Sequence, residues 1–146
     1  MSPPAGTNQA DRTPRDTRGR GTTVLVIDDS AIARARMADM LTAAGFEVAQ
    51  LPSPIGATRA ILDRKVSIVV VDVLMPGMRG DRLASLFRGN PRFADIGVVL
   101  VSGEASVELE RLLIESGADA TVSKSSLGDL VPTVLRVRQE RKVKSA

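Results

Sequence analysis

The chain contains no cysteine and no histidine. The first absence excludes disulfide frameworks and thiolate metal sites. The second excludes imidazole general bases, Ser-His-Asp catalysis and histidine-bound zinc. Trp and Tyr are missing too, and three Phe are the only aromatics, so no platform exists on which nucleic-acid bases could stack. No apolar run approaches the roughly 20 residues that span a bilayer. The N-terminus is polar rather than a charged-then-apolar leader. A cytoplasmic protein without a membrane span is expected.

What the chain does have is a globular composition, 43% hydrophobic and 25% charged over 146 residues, enough for one domain with a single core. The net charge of +3 sits at the ends. Residues 1–21 carry four Arg against Asp11 and Asp16. Residues 136–146 carry Arg136, Arg138, Arg141, Lys142 and Lys144 against Glu140, which leaves residues 22–135 at −3. A nucleic-acid reader carries its basic stripe on the folded body, so no nucleic-acid partner is expected. The basic end Arg136–Lys144 could instead meet an acidic partner or an anionic surface.

Met1–Gly21 is rich in Pro, Thr, Gly and Arg without apolar periodicity and reads as a disordered basic tail. Five apolar segments then read as strands: Thr23–Ile27, Phe46–Leu51, Val66–Asp72, Ile96–Val101 and Ala120–Ser123. Helices are expected over Ala31–Ala44, Ile55–Arg64, Asp81–Gly89 and Ser106–Ser116. A last one starts near Val131, after a capping turn Ser125–Leu130, because Pro132 suits only a first turn. Ala33, Met37, Met40, Leu41 and Ala44 make one helical face, with Gly45 as cap. Leu83, Leu86 and Phe87 make another, and Leu109, Leu112 and Leu113 a third. Arg79, Arg82 and Arg88 read as a solvated face.

Strands apolar on every residue belong to parallel sheets covered on both sides. Strict strand–helix alternation means right-handed βαβ units. The fold expected is α/β, a single doubly wound five-stranded parallel sheet of order 2-1-3-4-5, flavodoxin-like. Its switch point lies between the first and third strands, where ligands bind at carboxyl ends. Those ends carry Asp28-Asp29 and Asp72; the fourth strand ends in Ser102 and the fifth runs into Lys124.

Three carboxylates brought together repel one another unless a cation joins them. An all-oxygen set selects Mg²⁺. An ammonium and a hydroxyl opposite suit a phosphoryl group, and an aspartate beside Mg²⁺ is a competent nucleophile toward phosphorus. Singly, each residue has an ordinary reading: Asp28-Asp29 as a strand end with Asp29 or Ser30 capping the helix, Ser102 as a turn residue, Lys124 as a solvated lysine. Their coincidence at consecutive strand ends is what argues for a site.

The same residues resemble a known family. Asp-Asp after the first strand, Asp-x-x-Met-Pro-Gly-Met-x-Gly after the third, Ser after the fourth and Lys after the fifth are similar to the receiver domain of two-component response regulators. The likeness covers about residues 22–142, leaving 143–146 as a short tail, and is of the stand-alone, chemotaxis-regulator-like kind. The resemblance implies that Asp72 is the phosphoacceptor. Mg²⁺ would be held by Asp28, Asp29, Asp72 and the backbone carbonyl of Leu74. Lys124 would pair with the phosphoryl group and Ser102 would hydrogen-bond it. The donor would be a phosphohistidine on a partner histidine kinase or phosphotransfer protein. Output would pass to a downstream protein, with no enzymatic activity beyond self-phosphorylation and slow autodephosphorylation.

The chain departs from the family pattern at two places. Thr121 stands where a switch aromatic usually precedes the lysine, and Ser125 where a proline usually follows it. Leu74 and Glu104 occupy variable positions flanking water's approach to the site, and the apolar Leu74 is expected to change the lifetime of an acyl phosphate. Thr121 leaves open a second reading, an interaction or scaffold module signalling without phosphorylation. A Mg²⁺ phosphatase with an aspartate nucleophile fits less well, since it needs a second Asp two residues on, where Ser30 and Ala31 stand.

Overall fold

A computed structural model describes the backbone of residues 16–103 and 106–145 and the side chains of 16–103 and 108–142. Strands β1 (Thr23–Ile27), β2 (Glu47–Leu51), β3 (Ile68–Asp72), β4 (Gly97–Ser102) and β5 (Ala120–Ser123) alternate with helices. These are α1 (Ala31–Ala43), α2 (Ala57–Arg64), α3 (Gly80–Arg88), α4 (Ser106–Ser116) and α5 (Leu130–Ser145). A 3-10 turn, Lys124–Asp129, joins β5 to α5. All strand pairs are parallel, in the order β2-β1-β3-β4-β5. This is the doubly wound, flavodoxin-like sheet expected from the alternation.

The continuous apolar runs are explained by two cores. Successive side chains of a strand point to opposite faces, and here both faces are covered. Leu25, Ile27, Val69, Val71, Val98 and Leu100 pack toward α2, α3 and α4, meeting Ile61, Leu83, Phe87 and Leu112. Val24, Val26, Ile68, Val70, Val99 and Val101 pack toward α1 and α5, meeting Met37, Leu41, Leu130, Val134 and Val137. Every residue of β3 is buried. Each such aliphatic side chain contributes about 1.5–3 kcal/mol of transfer free energy, against the entropy of ordering it. β3 is thus anchored from both sides, and its last residue, Asp72, is fixed in place.

Several boundaries differ from the sequence reading for local reasons. Ile55 is 85% exposed and outside α2, because Gly56 takes a left-handed conformation (φ 87°) that starts the helix only at Ala57. Leu86 is 48% exposed, so the apolar face of α3 is Leu83, Ala84 and Phe87. α5 begins one residue early, at Leu130, and still keeps Pro132 in the first turn, where its missing N–H costs nothing. Of the segment read as a tail, residues 1–15 lie outside the described residues. Asp16–Gly21 instead form a turn on the body: Gly19 donates its N–H to the Ala44 carbonyl at 2.8 Å and lies against Phe46. The absence of a side chain at Gly19 allows that approach. The capping side chain expected at Ser106, and Glu104, also lie outside what is described. Among the described residues no helix is long and apolar enough to cross a membrane.

Candidate functional site

β1 and β3 are hydrogen-bonded neighbours in register, Ile27 opposite Val71, so their next residues stand side by side at the carboxyl end of the sheet. Those residues are Asp28 and Asp72. Both are buried, while Asp29 is exposed, and one carboxylate oxygen of each of the three lies within 4.8 Å of the others. The sequence-predicted acid trio is therefore a real cluster. Ser30 leaves the cluster to cap α1. Its hydroxyl accepts the Ala33 N–H at 3.2 Å, and its own N–H donates to Asp28 Oδ1 at 2.9 Å. The cap and the acid pair are thus one local structure, and the ordinary reading of Ser30 holds beside the functional one.

Lys124 opens the turn after β5 and reaches back over two strands. Its Nζ lies 3.1 Å from Asp28 Oδ2 and 3.4 Å from Asp72 Oδ2, with the side chain 30% exposed. The solvated-lysine reading is excluded by this position. Ser102, fully buried, ends β4 one residue past the partner of Asp72. Leu74 lies in the loop after β3, its side chain 52% exposed.

Electrostatically the site is under-compensated. Burial first, and then the neighbouring charge of Asp28, raises the Asp72 carboxyl above its ordinary value; Lys124 and the Leu74 backbone N–H oppose this. Burial pulls Lys124 down, but its contacts with Asp28 and Asp72 outweigh that and hold it above the ordinary ammonium value. One lysine pairs with two of the three clustered carboxylates. Asp28 Oδ2, buried, has no hydrogen bond of good geometry among the described residues, only the nearby ammonium. Buried carboxylate oxygens are costly without a partner. A hard divalent cation would relieve both deficits, so the donor set fits Mg²⁺.

Two outcomes follow. Mg²⁺ at about 100 times its Kd should add roughly 2.7 kcal/mol of stability, read as a rise in Tm, and Asp28→Asn should remove most of that rise. A melting curve indifferent to millimolar Mg²⁺ would count against the fit. With chelator present, the folded chain holds the Asp72 proton more tightly than the unfolded chain does. Stability from this group is therefore lost as pH rises from the ordinary value of 3.8 through the raised one. Asp72→Asn should accordingly melt higher than the parent at pH 7, the difference closing in acid. An equal or lower Tm at pH 7 would contradict the sign.

Sequence reasoning missed Arg34. From the end of the first turn of α1 its Nη1 donates to the Asp28 backbone carbonyl at 2.7 Å, tying the helix to the acid pair. Its position six residues past Asp28 was the only available signal. Arg88 is also not part of a solvated face. Its side chain is 20% exposed and donates to the carbonyls of Gly117, Ala94 and Ile96 and to Asp119 at 2.7–3.1 Å. Arg79 pairs with Asp81 at 3.0 Å.

Comparison with known proteins agrees with this geometry. The model of the response regulator receiver domain matches residues 24–135. A gliding motility regulatory protein of Myxococcus xanthus is 34% identical over 105 residues, 72% of this chain but 14% of that protein. The two-component response regulator ORR5 of Oryza sativa subsp. japonica is 32% identical over 124 residues, 82% of this chain and 92% of that protein. Among solved structures, the receiver domain of the histidine kinase CKI1 from Arabidopsis thaliana, complexed with Mg²⁺ and BeF₃⁻, is 27% identical with a TM-score of 0.72. That match covers 86% of this chain and 95% of the other. The chain thus spans a small part of one relative and nearly the whole of another.

Proposed function

The chain belongs to the response regulator receiver family, and from that premise we propose that it accepts a phosphoryl group on Asp72 and signals by phosphorylation-dependent protein binding. The observation that carries this reading is the convergence of Asp28, Asp29 and Asp72 within 4.8 Å, with Lys124 Nζ 3.4 Å from Asp72. The donor is a phosphohistidine of a partner kinase or phosphotransfer protein, which a chain without histidine cannot supply itself. An Asp72 carboxylate oxygen attacks phosphorus. The P–N bond to the donor imidazole breaks, its electron pair returning to nitrogen, and a P–O bond forms, giving an acyl phosphate. Lys124 offers its ammonium to the transferring oxygens, and the Ser102 hydroxyl hydrogen-bonds one of them. Held by Asp28, Asp29, Asp72 and the Leu74 carbonyl, Mg²⁺ would supply charge neutralisation at those oxygens. Positioning and charge are most of what such a transfer needs.

The chain acts as a signalling module in the cytoplasm, and its output lies in motility or chemotaxis; the Myxococcus relative's name supports motility. Thr121, half-buried on β5 opposite Leu100, favours a second reading, in which binding to the target does not depend on phosphate. Two measurements separate the readings. Incubation with acetyl phosphate and Mg²⁺ should label the chain, and EDTA should prevent it. Target affinity should then rise with beryllofluoride in the wild type but not in Asp72→Asn. Equal affinity of the two proteins under beryllofluoride, despite efficient labelling, would select the phosphate-independent reading.

A further inference from the structure

The basic end of the chain is not used by the aspartate site. As part of α5 it carries Arg138, Arg141 and Lys142 at i, i+3 and i+4, one helical face. They border a cleft of about 410 Å³ closed by Arg20 from the N-terminal turn, by Thr22 before β1 and by Ser67 and Ile68 at the start of β3. This is the end of the sheet opposite Asp72. Asp95 is the one carboxylate in its wall.

The cleft is built rather than incidental. Arg141 is held by Asp119, its Nε at 2.9 Å and its Nη2 at 2.6 Å from Oδ1, and Asp119 is shared with Arg88 at 2.8 Å. Two guanidiniums on one carboxylate leave positive charge behind the wall. Burial lowers the Arg88 guanidinium from its ordinary value, and Arg141 beside it adds to this against Asp119. Arg138 has its guanidinium carbon 5.9 Å from the Phe46 ring centre and a long 3.4 Å contact from Nη1 to the Thr22 hydroxyl. Its Nε is buried with no hydrogen-bond partner among the described residues. A buried charged donor left unpaired is costly, and an anion at the mouth of the cleft would offset its charge.

We propose that this cleft binds a small molecule bearing a phosphate or pyrophosphate group, with Arg138, Arg20 and Lys142 as its donors. Guanidinium forks match tetrahedral oxyanions, and they line one concavity here from two separate segments, the N-terminal turn and α5. The volume lies in the usual range for small-ligand sites. A nucleic acid or an acidic peptide would call for an extended stripe, which the mildly acidic body does not offer. The site is independent of phosphoryl transfer at Asp72.

Isothermal titration of the full chain with inorganic pyrophosphate tests this. Pyrophosphate should bind, more weakly as salt rises. Arg138→Gln and, separately, the exposed Lys142→Gln should each weaken it by about tenfold or more. Arg59→Gln, an exposed arginine on α2, and Asp72→Ala should bind as the parent does. Lys142→Gln leaves the core untouched, so its result stands even if Arg138→Gln melts early. Absence of pyrophosphate binding, equal binding by Lys142→Gln and the parent, or binding of a polyaspartate peptide but not pyrophosphate would each overturn the proposal.

Discussion

Gly80→Ala should lower stability by about 3 kcal/mol and slow phosphoryl uptake about a hundredfold. Gly80 opens α3, and in a helix alanine is ordinarily better than glycine by about 1 kcal/mol. Here sterics reverse the sign. A β-carbon on Gly80 would lie 2.4 Å from the Asp72 carbonyl oxygen, 3.0 Å from its carbon and 3.2 Å from a Val71 methyl. Backbone cannot yield as a flexible side chain would. The Gly80 N–H also donates to the Val73 carbonyl at 3.0 Å, so the loop from Asp72 to α3 closes on itself at this residue. Relief of the overlap must move either α3, costing the Leu83 and Phe87 contacts, or Asp72 itself. Urea unfolding and the labelling rate under acetyl phosphate read the two parts separately. A variant with parental stability and parental labelling would show that the loop has slack the structure denies it.

The same glycine shows how far the sequence could be read. Met-Pro-Gly-Met-x-Gly after β3 marked a loop, and the family resemblance ended the motif at Gly80, but only the packing shows that Gly80 is needed to seat Asp72. Sheet order and both cores were legible because β-branched runs apolar on every residue have one good solution, a parallel sheet covered on two sides. The acid trio and Lys124 were legible because sheet topology brings carboxyl ends of strands together whatever the loops do. Leu86 and Ile55 were misread because a periodic apolar residue near a helix end can face solvent, and because Gly56 resets where α2 begins.

The arginines were the least legible feature. Arg88, Arg141 and Arg34 look on paper like any charged surface residue. Their long side chains find carbonyls and the Asp119 carboxylate between six and 47 residues away in sequence, by distances that no periodicity encodes. An arginine with several donors is held wherever uncapped carbonyls collect, and these collect where helices and loops end. The tail at Asp16–Gly21 was misjudged for a related reason. Low apolar content argued for disorder, while the contact that holds it is a glycine backbone against Phe46.

Asp72 carries the central claim, and the loss expected on changing it is the largest of all. It is buried, its carboxyl raised above the ordinary value by burial and by Asp28, and Lys124 is shared between it and Asp28. Asp28 and Asp29 lie close enough to be rival acceptors. The direct measurement is therefore the position of the label. After acetyl phosphate and Mg²⁺, reduction of the acyl phosphate with borohydride and peptide mapping should place the modification on Asp72. Asp72→Ala should carry none, while Asp72→Ala still shows the same strand order and a cooperative melt. Modification on Asp28 or Asp29, or undiminished labelling of Asp72→Ala, would contradict the account.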